Sequence, residues 1–504
     1  MTNPLAEPER SQNAIDPCIV VIFGATGDLT GKKLAPALYN LAKDGLLSPN
    51  FAMIGFARRP KSHEEFRQDL KRDVSSNSRT PLDEPFWNTF QEQIFYHASE
   101  FDSDEGYQAL AQFLKTLDAK LGTRGNRVFY LSVQPKYFSL IIEKLRIAGL
   151  VYDKEQEEPF SRVVIEKPFG HDSRSAAELQ TAIQKSLHES QIYRIDHYLG
   201  KETVQNLLVL RFGNSIFEPL WNYKATDHVQ ITVAEDIGIG TRGAFFEEEG
   251  TLRDIVQNHM MQLLSLVAME PPVNFTAAAI REEKVKVLQA IRPLTEEDFQ
   301  EMVVRGQYGP GFIHGDSVVG YRQEENVAKQ SNVETFMALR FFIDNWRWAG
   351  VPFYLRGGKR LPKRATEIAI VFKDVPSNLF PEHGKRNVLV IRIQPDEGIS
   401  LKINCKVPGP ANMIQPVKLD FRYGSYFGKS PPEAYERLIW DSILGDSTLF
   451  AHINEVTASW NIFTPLLEYW SKTSPQFPNY ESGSWGPKEA DTMIAKEGRA
   501  WRIL

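Results

Sequence analysis

A short apolar run, CIVVIF at positions 18–23, is followed at once by the turn GATGDLT and by a helical pattern, KKLAPALYNLAKDGLL. A strand this uniformly apolar is typical of a parallel sheet that helices cover on both faces. Gly24 and Gly27 allow a tight turn and a close approach of the backbone to a ligand. The order of strand, glycine turn and helix therefore predicts a site for a dinucleotide pyrophosphate at the helix N-terminus.

Further strands alternate with helical segments in the first 195 residues. FAMIGFA (51–57), NRVFYLSV (126–133) and SRVVIEKPF (161–169) are the clearest of them. Such alternation predicts parallel strands joined by helices. Beyond residue 330 strands follow strands with short turns, which is typical of antiparallel pairing. The predicted fold class is an α/β Rossmann-like N-terminal domain plus an α+β C-terminal domain with a large, mainly antiparallel sheet.

The chain of 504 residues is too long for one ordinary hydrophobic core. We predict a flexible N-terminal tail at 1–17, a dinucleotide-binding (Rossmann-like) domain at 18–195, and a domain for substrate binding and dimerisation at 196–504.

Composition excludes several classes of protein. A net charge of −6 argues against a nucleic-acid binder. The two cysteines, Cys18 and Cys405, offer neither a disulfide framework nor the spacing of a metal site. The N-terminal residues lack the apolar core of a signal peptide, and no apolar run reaches membrane-spanning length. We expect a cytoplasmic enzyme without a metal, a nucleic-acid partner or a membrane partner.

The second predicted strand ends in FARR, with Arg58 and Arg59 where NAD sites usually place an acidic residue. An arginine at this position suits the 2′-phosphate of NADP. The alternative is a solvated basic strand end. A phosphate-binding P-loop is excluded, because Thr26 occupies the required glycine position and Lys33 the required hydroxyl position.

The segment RIDHYLGKE, residues 194–202, combines a carboxylate, an imidazole, a phenol and an ammonium group. If the segment opens a helix, His197 and Lys201 share one face and suit a phosphate. Asp196 could then orient a catalytic histidine elsewhere in the chain. The alternative is a solvated helix start with an acidic first turn.

Three further segments place polar groups where ligands bind. Lys167 follows a buried strand and precedes Pro168, at the ligand-binding edge of a parallel sheet. Asp254 and His259 lie at the polar start of an otherwise apolar helix, where each needs a partner or a cleft. YLRGGKRLPKR offers cations on a glycine-containing turn. The alternative for Lys167 is an ordinary surface lysine, and for His259 a core histidine that a neighbour satisfies. The alternative for YLRGGKRLPKR is a plain basic turn.

Taken in order, GATGDL, FAR, EKPFG, RIDHYLGKE, RDxxxNH and RxGKxL resemble the glucose-6-phosphate dehydrogenase family. The likeness extends from about residue 18 to 495. It implies oxidation of D-glucose 6-phosphate at C1 to 6-phospho-D-glucono-1,5-lactone with NADP⁺ as acceptor, and a homodimer or homotetramer.

The resemblance also implies roles for individual residues. His259 matches the general base and Asp196 the carboxylate that orients it. The implied substrate-binding residues are Lys167, His197, Tyr198, Lys201, Glu235, Asp254, Lys359 and, on a weaker match, Arg364. The implied cofactor-binding residues are Gly24, Ala25, Thr26, Gly27, Asp28, Leu29, Arg58, Tyr130 and Lys167.

Some positions depart from the family pattern. Gly31 stands where the family commonly has lysine, and SVQP (132–135) replaces an Ala/Leu-Pro-Pro turn. Arg356, Arg392, Gln394 and Lys402 are compatible with the second, structural NADP site of some animal members, but Ala365 replaces a lysine there, so no second site is expected. Two other functions stay open: a non-catalytic sensor of NADP(H) or sugar phosphates, and a dehydrogenase of another sugar.

Overall fold

The computed structural model describes residues 15–153, 159–376, 379, 385–410, 413–428 and 432–504. Residue contacts divide the chain into two compact units. Unit 1 contains the chain up to Gly170, Arg174–Gly200 and Pro432–Ile453, and unit 2 contains His171–Ser173, Lys201–Pro431 and Asn454–Leu504. The first fourteen residues of the predicted tail lie outside the described residues.

Unit 1 is built on a seven-stranded sheet. Its parallel strands are β1 (Cys18–Phe23), β2 (Phe51–Ala57), β3 (Ile94–Ala98), β4 (Arg127–Leu131), β5 (Ser161–Ile165) and β6 (Ile192–Ile195). The spatial order is β6-β5-β4-β1-β2-β3, and a short strand at Phe450–Ala451 pairs antiparallel with β6.

The strands of the parallel sheet and the helices alternate along the chain. The helices of the whole chain are α1 (Ala35–Lys43), α2 (His63–Asn77), α3 (Glu84–Phe90), α4 (Asp104–Leu121), α5 (Phe138–Ile147), α6 (Ser173–Gln184), α7 (Glu202–Phe212), α8 (Gly243–Thr251), α9 (Met261–Ala268), α10 (Ala277–Ala290), α11 (Glu296–Glu301), α12 (Tyr423–Phe427), α13 (Ala434–Leu444), α14 (Ile453–Ser471) and α15 (Lys488–Ala495). Two π-helical segments, Thr30–Leu34 and Leu252–Met260, precede α1 and α9. Within the described ranges, no helix has both the length and the apolar character needed to cross a bilayer.

The core of unit 1 explains why its strands are so apolar. Every residue of β1 and β2 is buried. Ile19, Val21 and Phe23 pack with Leu110 and Leu114 of α4. Burial of each such side chain stabilises the folded state by roughly 1.5–3 kcal/mol. The two strands are therefore held firmly in the core, and they fix the position of the turn that follows β1.

Helix α13 belongs to unit 1, although the predicted boundary placed it in the C-terminal domain. Glu436 accepts hydrogen bonds from Asn40 at 3.0 Å and from Arg79 at 2.8 Å. Glu433 pairs with Lys33 at 2.7 Å. These contacts join residues nearly 400 positions apart, and the local pattern around residue 195 contains no sign of them.

Unit 2 is built on an eight-stranded sheet in the order β17-β16-β15-β14-β7-β13-β12-β8. All its pairs are antiparallel except β7 with β13. The predicted α+β domain with a mainly antiparallel sheet is therefore confirmed. Its strands are β7 (Thr226–Ala234), β8 (Val303–Gly306), β9 (Tyr308–Gly309), β10 (Gly311–Ile313), β11 (Asp316–Val318), β12 (Phe336–Phe342), β13 (Pro352–Gly358), β14 (Ala365–Phe372), β15 (Val388–Gln394), β16 (Gly398–Lys406) and β17 (Ile414–Arg422); β9 pairs with a short strand at Tyr480–Glu481, and β10 with β11.

A buried ion pair joins three helices of unit 2. Lys284 of α10 lies 2.7 Å from Glu455 of α14, and both side chains are almost fully buried. Gln262 of α9 donates a hydrogen bond to the same carboxylate at 3.0 Å. Removing one charge from such a pair leaves the other desolvated without its counter-ion, which is strongly unfavourable.

We expect Lys284→Met to lower the free energy of unfolding of unit 2 by about 3–5 kcal/mol, because the Glu455 charge then stays buried without its cation. Lys286→Met is the matched control. Lys286 lies on the same helix, its side chain is exposed and it pairs with Glu283, so its loss should lower the free energy of unfolding far less than the loss of Lys284. Urea unfolding followed by tryptophan fluorescence measures both, and equal effects of the two substitutions would contradict the argument.

Candidate active site

The turn after β1 accepts only glycine at its first position. Gly24 has φ +79°, and a Cβ atom there would lie 2.1 Å from the carbonyl oxygen of Ser132. Its N–H donates to Phe56 O at 2.9 Å, and the N–H of Gly27 donates back to Gly24 O at 2.9 Å. The turn is thereby fixed by β2 and by the residue after β4, so Gly24, Ala25, Thr26, Gly27, Asp28 and Leu29 are held at the carboxyl edge of the sheet.

A cavity of about 250 Å³ lies beside this turn. Its lining includes Thr26 and Gly27, four cations and three carboxylates. Lys61 and Arg72 both pair with Asp69, and Lys32 pairs with Asp28. The lining carries one net positive charge, which suits an anionic ligand.

The two arginines at the end of β2 have different surroundings. Arg58 does not line the cavity, and its Nε lies 3.8 Å from Glu100. Arg59 lines the cavity and, among the described residues, its guanidinium group forms no ion pair. The hydroxyl of Tyr96 donates to the carbonyl of Arg59 at 2.5 Å and so fixes the backbone there. Sequence reasoning named both arginines and assigned the 2′-phosphate to Arg58 alone.

A second cluster in unit 1 lies where β4 and β5 end. The hydroxyl of Tyr130 donates to Glu166 Oε1 at 2.5 Å, and the hydroxyl of Tyr435 on α13 also hydrogen-bonds the Glu166 carboxylate. Desolvation raises the pKa of Glu166 to about 7. Lys167 follows directly, with a cis bond to Pro168.

Arg194 and Ile195 of the RIDHYLGKE segment end β6, and the residues that follow them form a turn. Asp196 is buried, and its Oδ1 accepts the N–H of Tyr198 at 3.0 Å. Helix α7 begins only at Glu202, with Lys201 as its N-cap residue. His197 and Lys201 therefore do not share a helical face. Instead, the His197 ring lies nearly parallel to the ring of Tyr435, 6.3 Å between centroids.

In unit 2, two of the predicted cations meet at one side chain. Lys201 Nζ donates to Gln394 Oε1 at 2.6 Å, and Arg364 Nη2 donates to the same oxygen at 3.4 Å. The amide of Gln394 is held in turn by its donation to Thr366 Oγ1 at 3.1 Å. The two cations thus meet at one neutral acceptor, and cationic donors of this kind suit an anion such as a phosphate.

Glu235, Asp254 and Lys359 also come together in unit 2. Strands β7 and β13 are parallel neighbours with Ala234 paired to Gly358, so the next residues, Glu235 and Lys359, lie side by side. Lys359 Nζ lies 2.5 Å from Glu235 and 3.8 Å from Asp254. Carboxylates that flank a buried ammonium group form a polar cradle suited to the hydroxyls of a sugar.

His259 lies on the π-helical segment Leu252–Met260 and is almost fully buried. The side chain of Glu334 accepts the N–H of Leu252 at 2.9 Å, and its carbonyl accepts the N–H of Thr251 at 3.0 Å. Gly250 has φ +62°, and a Cβ there would lie 2.4 Å from the Glu334 carboxylate. The segment that carries His259 is thus held by a distant acid, and π-helical turns are frequent at functional sites.

Two arginines that fit a second NADP site have partners within the chain. Arg356 lies between the rings of Trp485 and Trp501, at 4.8 and 4.7 Å from their centroids. Arg392 pairs with Asp420 at 2.8 Å. Trp485 and Trp501 were given no weight in the sequence.

The predicted residues fall into both units. Unit 1 holds the dinucleotide turn, Arg58, Tyr130, Lys167, Asp196, His197 and Tyr198, and unit 2 holds Lys201, Glu235, Asp254, His259, Lys359 and Arg364. Sequence reasoning missed Glu166, Glu334 and Tyr435. The only local signal among them is the acid of EKPFG, which directly precedes the lysine that was selected.

Comparisons with known proteins agree across the chain. The profile "Glucose-6-phosphate dehydrogenase, NAD binding domain" matches residues 21–206, and "Glucose-6-phosphate dehydrogenase, C-terminal domain" matches residues 208–502. A glucose-6-phosphate 1-dehydrogenase of Chlamydia pneumoniae is 56% identical over all of both chains. One of Bacillus subtilis is 46% identical and covers 96% of this chain and 98% of its own.

A solved structure of a glucose-6-phosphate dehydrogenase in complex with glucose 6-phosphate has a TM-score of 0.88 at 39% identity, covering 97% of this chain and 99% of that chain. The two profile matches together extend over most of both units. The chain belongs to the glucose-6-phosphate dehydrogenase family.

Proposed function

We propose that this chain oxidises D-glucose 6-phosphate at C1 to 6-phospho-D-glucono-1,5-lactone with NADP⁺ as hydride acceptor, the first oxidative step of the pentose phosphate pathway. The observation that carries the proposal is the cluster of Glu235, Asp254 and Lys359, which suits the hydroxyls of a sugar. The relatives of the chain are named for this activity.

The residues at the end of β1 fit a dinucleotide. Gly24 leaves no room for a side chain beside Ser132, and the adjoining cavity carries a net positive charge. Gly24, Ala25, Thr26, Gly27, Asp28 and Leu29 would hold the pyrophosphate region, Arg58 the 2′-phosphate, and Tyr130 and Lys167 the end nearest the reaction. When bound, NADP⁺ supplies the hydride acceptor.

We assign the proton transfer to His259. Its imidazole would take the proton of the C1 hydroxyl as the hydride leaves C1, so that the lactone carbonyl forms without a high-energy oxocarbenium or alkoxide species. Asp196 stays the proposed carboxylate that orients this base and stabilises its imidazolium form. Burial of both residues favours the role, since few water molecules compete for their hydrogen bonds.

Phosphate recognition is proposed for His197, Tyr198 and Lys201, each of which would donate to the substrate phosphate. Arg364 lies beside Lys201 at Gln394. Glu235, Asp254 and Lys359 would bind the sugar hydroxyls. Binding through several cationic donors predicts a strong preference for the phosphorylated sugar.

Localisation in the cytoplasm is likewise proposed. Cys18 is buried in β1 and Cys405 lies on β16, so the two thiols belong to different units and different sheets. Burial raises the pKa of Cys18 to about 12, which makes it an inert core thiol.

We expect His259→Asn to lower kcat by about 10²–10⁴-fold with little change in the Kd for glucose 6-phosphate, because asparagine cannot accept the hydroxyl proton. His228→Asn is the matched control, since His228 is also buried in unit 2 but hydrogen-bonds Asp227. Stopped-flow and steady-state assays measure the rates. A His259→Asn variant with near-normal turnover would remove His259 from the mechanism.

We expect Arg58→Gln and Arg59→Gln each to lower kcat/KM for NADP⁺ by about tenfold or more and to leave kcat/KM for NAD⁺ almost unchanged, because each removes a charged hydrogen bond to the 2′-phosphate. Arg72→Gln is the control, since Arg72 lines the same cavity but pairs with Asp69. If only one of the two substitutions affects NADP⁺, the other arginine is not a ligand. Equal losses with NADP⁺ and NAD⁺ would contradict the proposed specificity.

A homodimer or homotetramer is proposed for the assembly. Strand β17 is an edge strand of the large sheet, and it exposes Val417 and Leu419, while α12 exposes Tyr426 and Phe427. We expect Leu419→Glu to weaken self-association, because a charge replaces apolar contact area. Trp346→Glu, at an exposed apolar residue elsewhere in unit 2, is the control. Self-association is measured by sedimentation velocity. If the unaltered chain sediments as a monomer at micromolar concentration, the proposal is contradicted.

A further inference from the structure

Glu166 joins three elements of unit 1 through hydrogen bonds. Tyr130 lies on β4, Glu166 follows β5, and Tyr435 lies in the first turn of α13. Tyr130 donates to Oε1 at 2.5 Å, and Tyr435 donates to the same carboxylate. A carboxylate has two acceptor oxygens and no donor, so it can satisfy two hydroxyl donors at once.

Tyr435 links Glu166 to a proposed phosphate ligand. Its ring is nearly parallel to the imidazole of His197, with an interplanar angle of 7° and 6.3 Å between centroids. Lys167, the residue after Glu166, is a proposed substrate ligand as well. A continuous set of contacts therefore extends from Tyr130 through Glu166 and Tyr435 to His197.

We propose that Glu166 is a positioning residue of the sugar-phosphate site: as a carboxylate it holds both tyrosine hydroxyls, and through the ring of Tyr435 it fixes His197 for the substrate phosphate. The inference rests on the proposed function, since it needs a phosphorylated ligand at His197. Glu166 acts through Tyr435 and does not itself touch the substrate.

The surroundings of Glu166 place its titration near neutral pH. The pKa of Glu166 is raised to about 7: desolvation is the largest cause and the charge of Asp196 adds to it, while the hydrogen bonds from Tyr130 and Tyr435 and the charge of Lys167 oppose it. Burial also raises the pKa of both tyrosines, so they stay hydroxyl donors. A protonated glutamic acid has one carbonyl acceptor and one donor, like the amide of glutamine.

Glu166→Gln therefore resembles the protonated form of the natural side chain. The Kd for glucose 6-phosphate is measured by calorimetry without cofactor, for the variant and the unaltered protein. At about pH 8, one unit above the Glu166 pKa, we expect the variant to bind on the order of tenfold more weakly, the cost of a hydrogen bond to a charged group. At about pH 6, one unit below it, we expect the ratio of the two Kd values to approach one. Titration of the substrate phosphate affects both proteins and cancels in the ratio.

Two further variants separate positioning from general damage. Glu436→Gln alters the residue after Tyr435, whose carboxylate binds Asn40 and Arg79 instead, and should leave Kd unchanged at both pH values. Tyr435→Phe keeps the ring but removes its hydroxyl, and should raise Kd several-fold at about pH 8. The double variant with both Glu166→Gln and Tyr435→Phe should have nearly the same Kd as Glu166→Gln alone, because both substitutions break the same hydrogen bond. If Glu166→Gln does not fold, the Tyr435→Phe result decides.

The positioning role is overturned if the ratio of the Kd of Glu166→Gln to that of the unaltered protein is the same at both pH values. It is also overturned if the effects of Glu166→Gln and Tyr435→Phe on the binding free energy are fully additive. An unchanged Kd in Tyr435→Phe would overturn it as well. Absence of glucose 6-phosphate binding by the unaltered protein would instead overturn the proposed function, and this inference with it.

Discussion

The common carboxyl edge of the parallel sheet is the constraint on which the dinucleotide-binding unit depends. Phe23, Leu131 and Ile165 are paired in register across β1, β4 and β5. Parallel hydrogen bonding then forces the residues that follow each strand to one edge. Gly24, Ser132 and Glu166 meet there for that reason, and the close approach of Gly24 to Ser132 excludes any side chain from the turn.

One pair of strands in the large sheet of unit 2 is also parallel, so the residues that follow these two strands lie at one edge of the sheet as well. Among the strand pairs of this sheet, β7 and β13 alone are parallel. Their register places Glu235 beside Lys359, and the backbone reinforces it, because Glu235 N donates to Gly358 O at 3.0 Å. In an antiparallel pair these two residues would leave opposite edges of the sheet. The cradle proposed for the sugar hydroxyls therefore follows from one strand direction.

Local pattern was sufficient to locate β1, β2, β4 and β5 and the principal motifs, but not β3 or β6. Apolar runs located β1 and β2 with the bounds that the structure has, since a strand buried on both faces has no competing periodicity. Spacing left open whether the RIDHYLGKE segment opens a helix, because it does not show that Asp196 accepts the N–H of Tyr198 and holds a turn.

The residues that sequence reasoning missed act through distant partners. Glu334 holds a helix start more than 80 positions away, and Tyr435 contacts Glu166 and His197 from the far C-terminal part of the chain. Contacts of this range leave no trace in a window of neighbouring residues. Arg59 was passed over for a different reason: its neighbour Arg58 fits the same rule, and only the cavity lining separates the two.

The most direct test of the account is the reduction of NADP⁺ by purified protein with glucose 6-phosphate, followed by the absorbance of reduced nicotinamide. Parallel reactions contain NAD⁺, or unphosphorylated glucose. The account predicts rapid reduction of NADP⁺ with the phosphorylated sugar, a much slower reaction with NAD⁺, and loss of most activity with glucose. No reduction by protein shown to be folded, or equal rates with and without the phosphate, would contradict it.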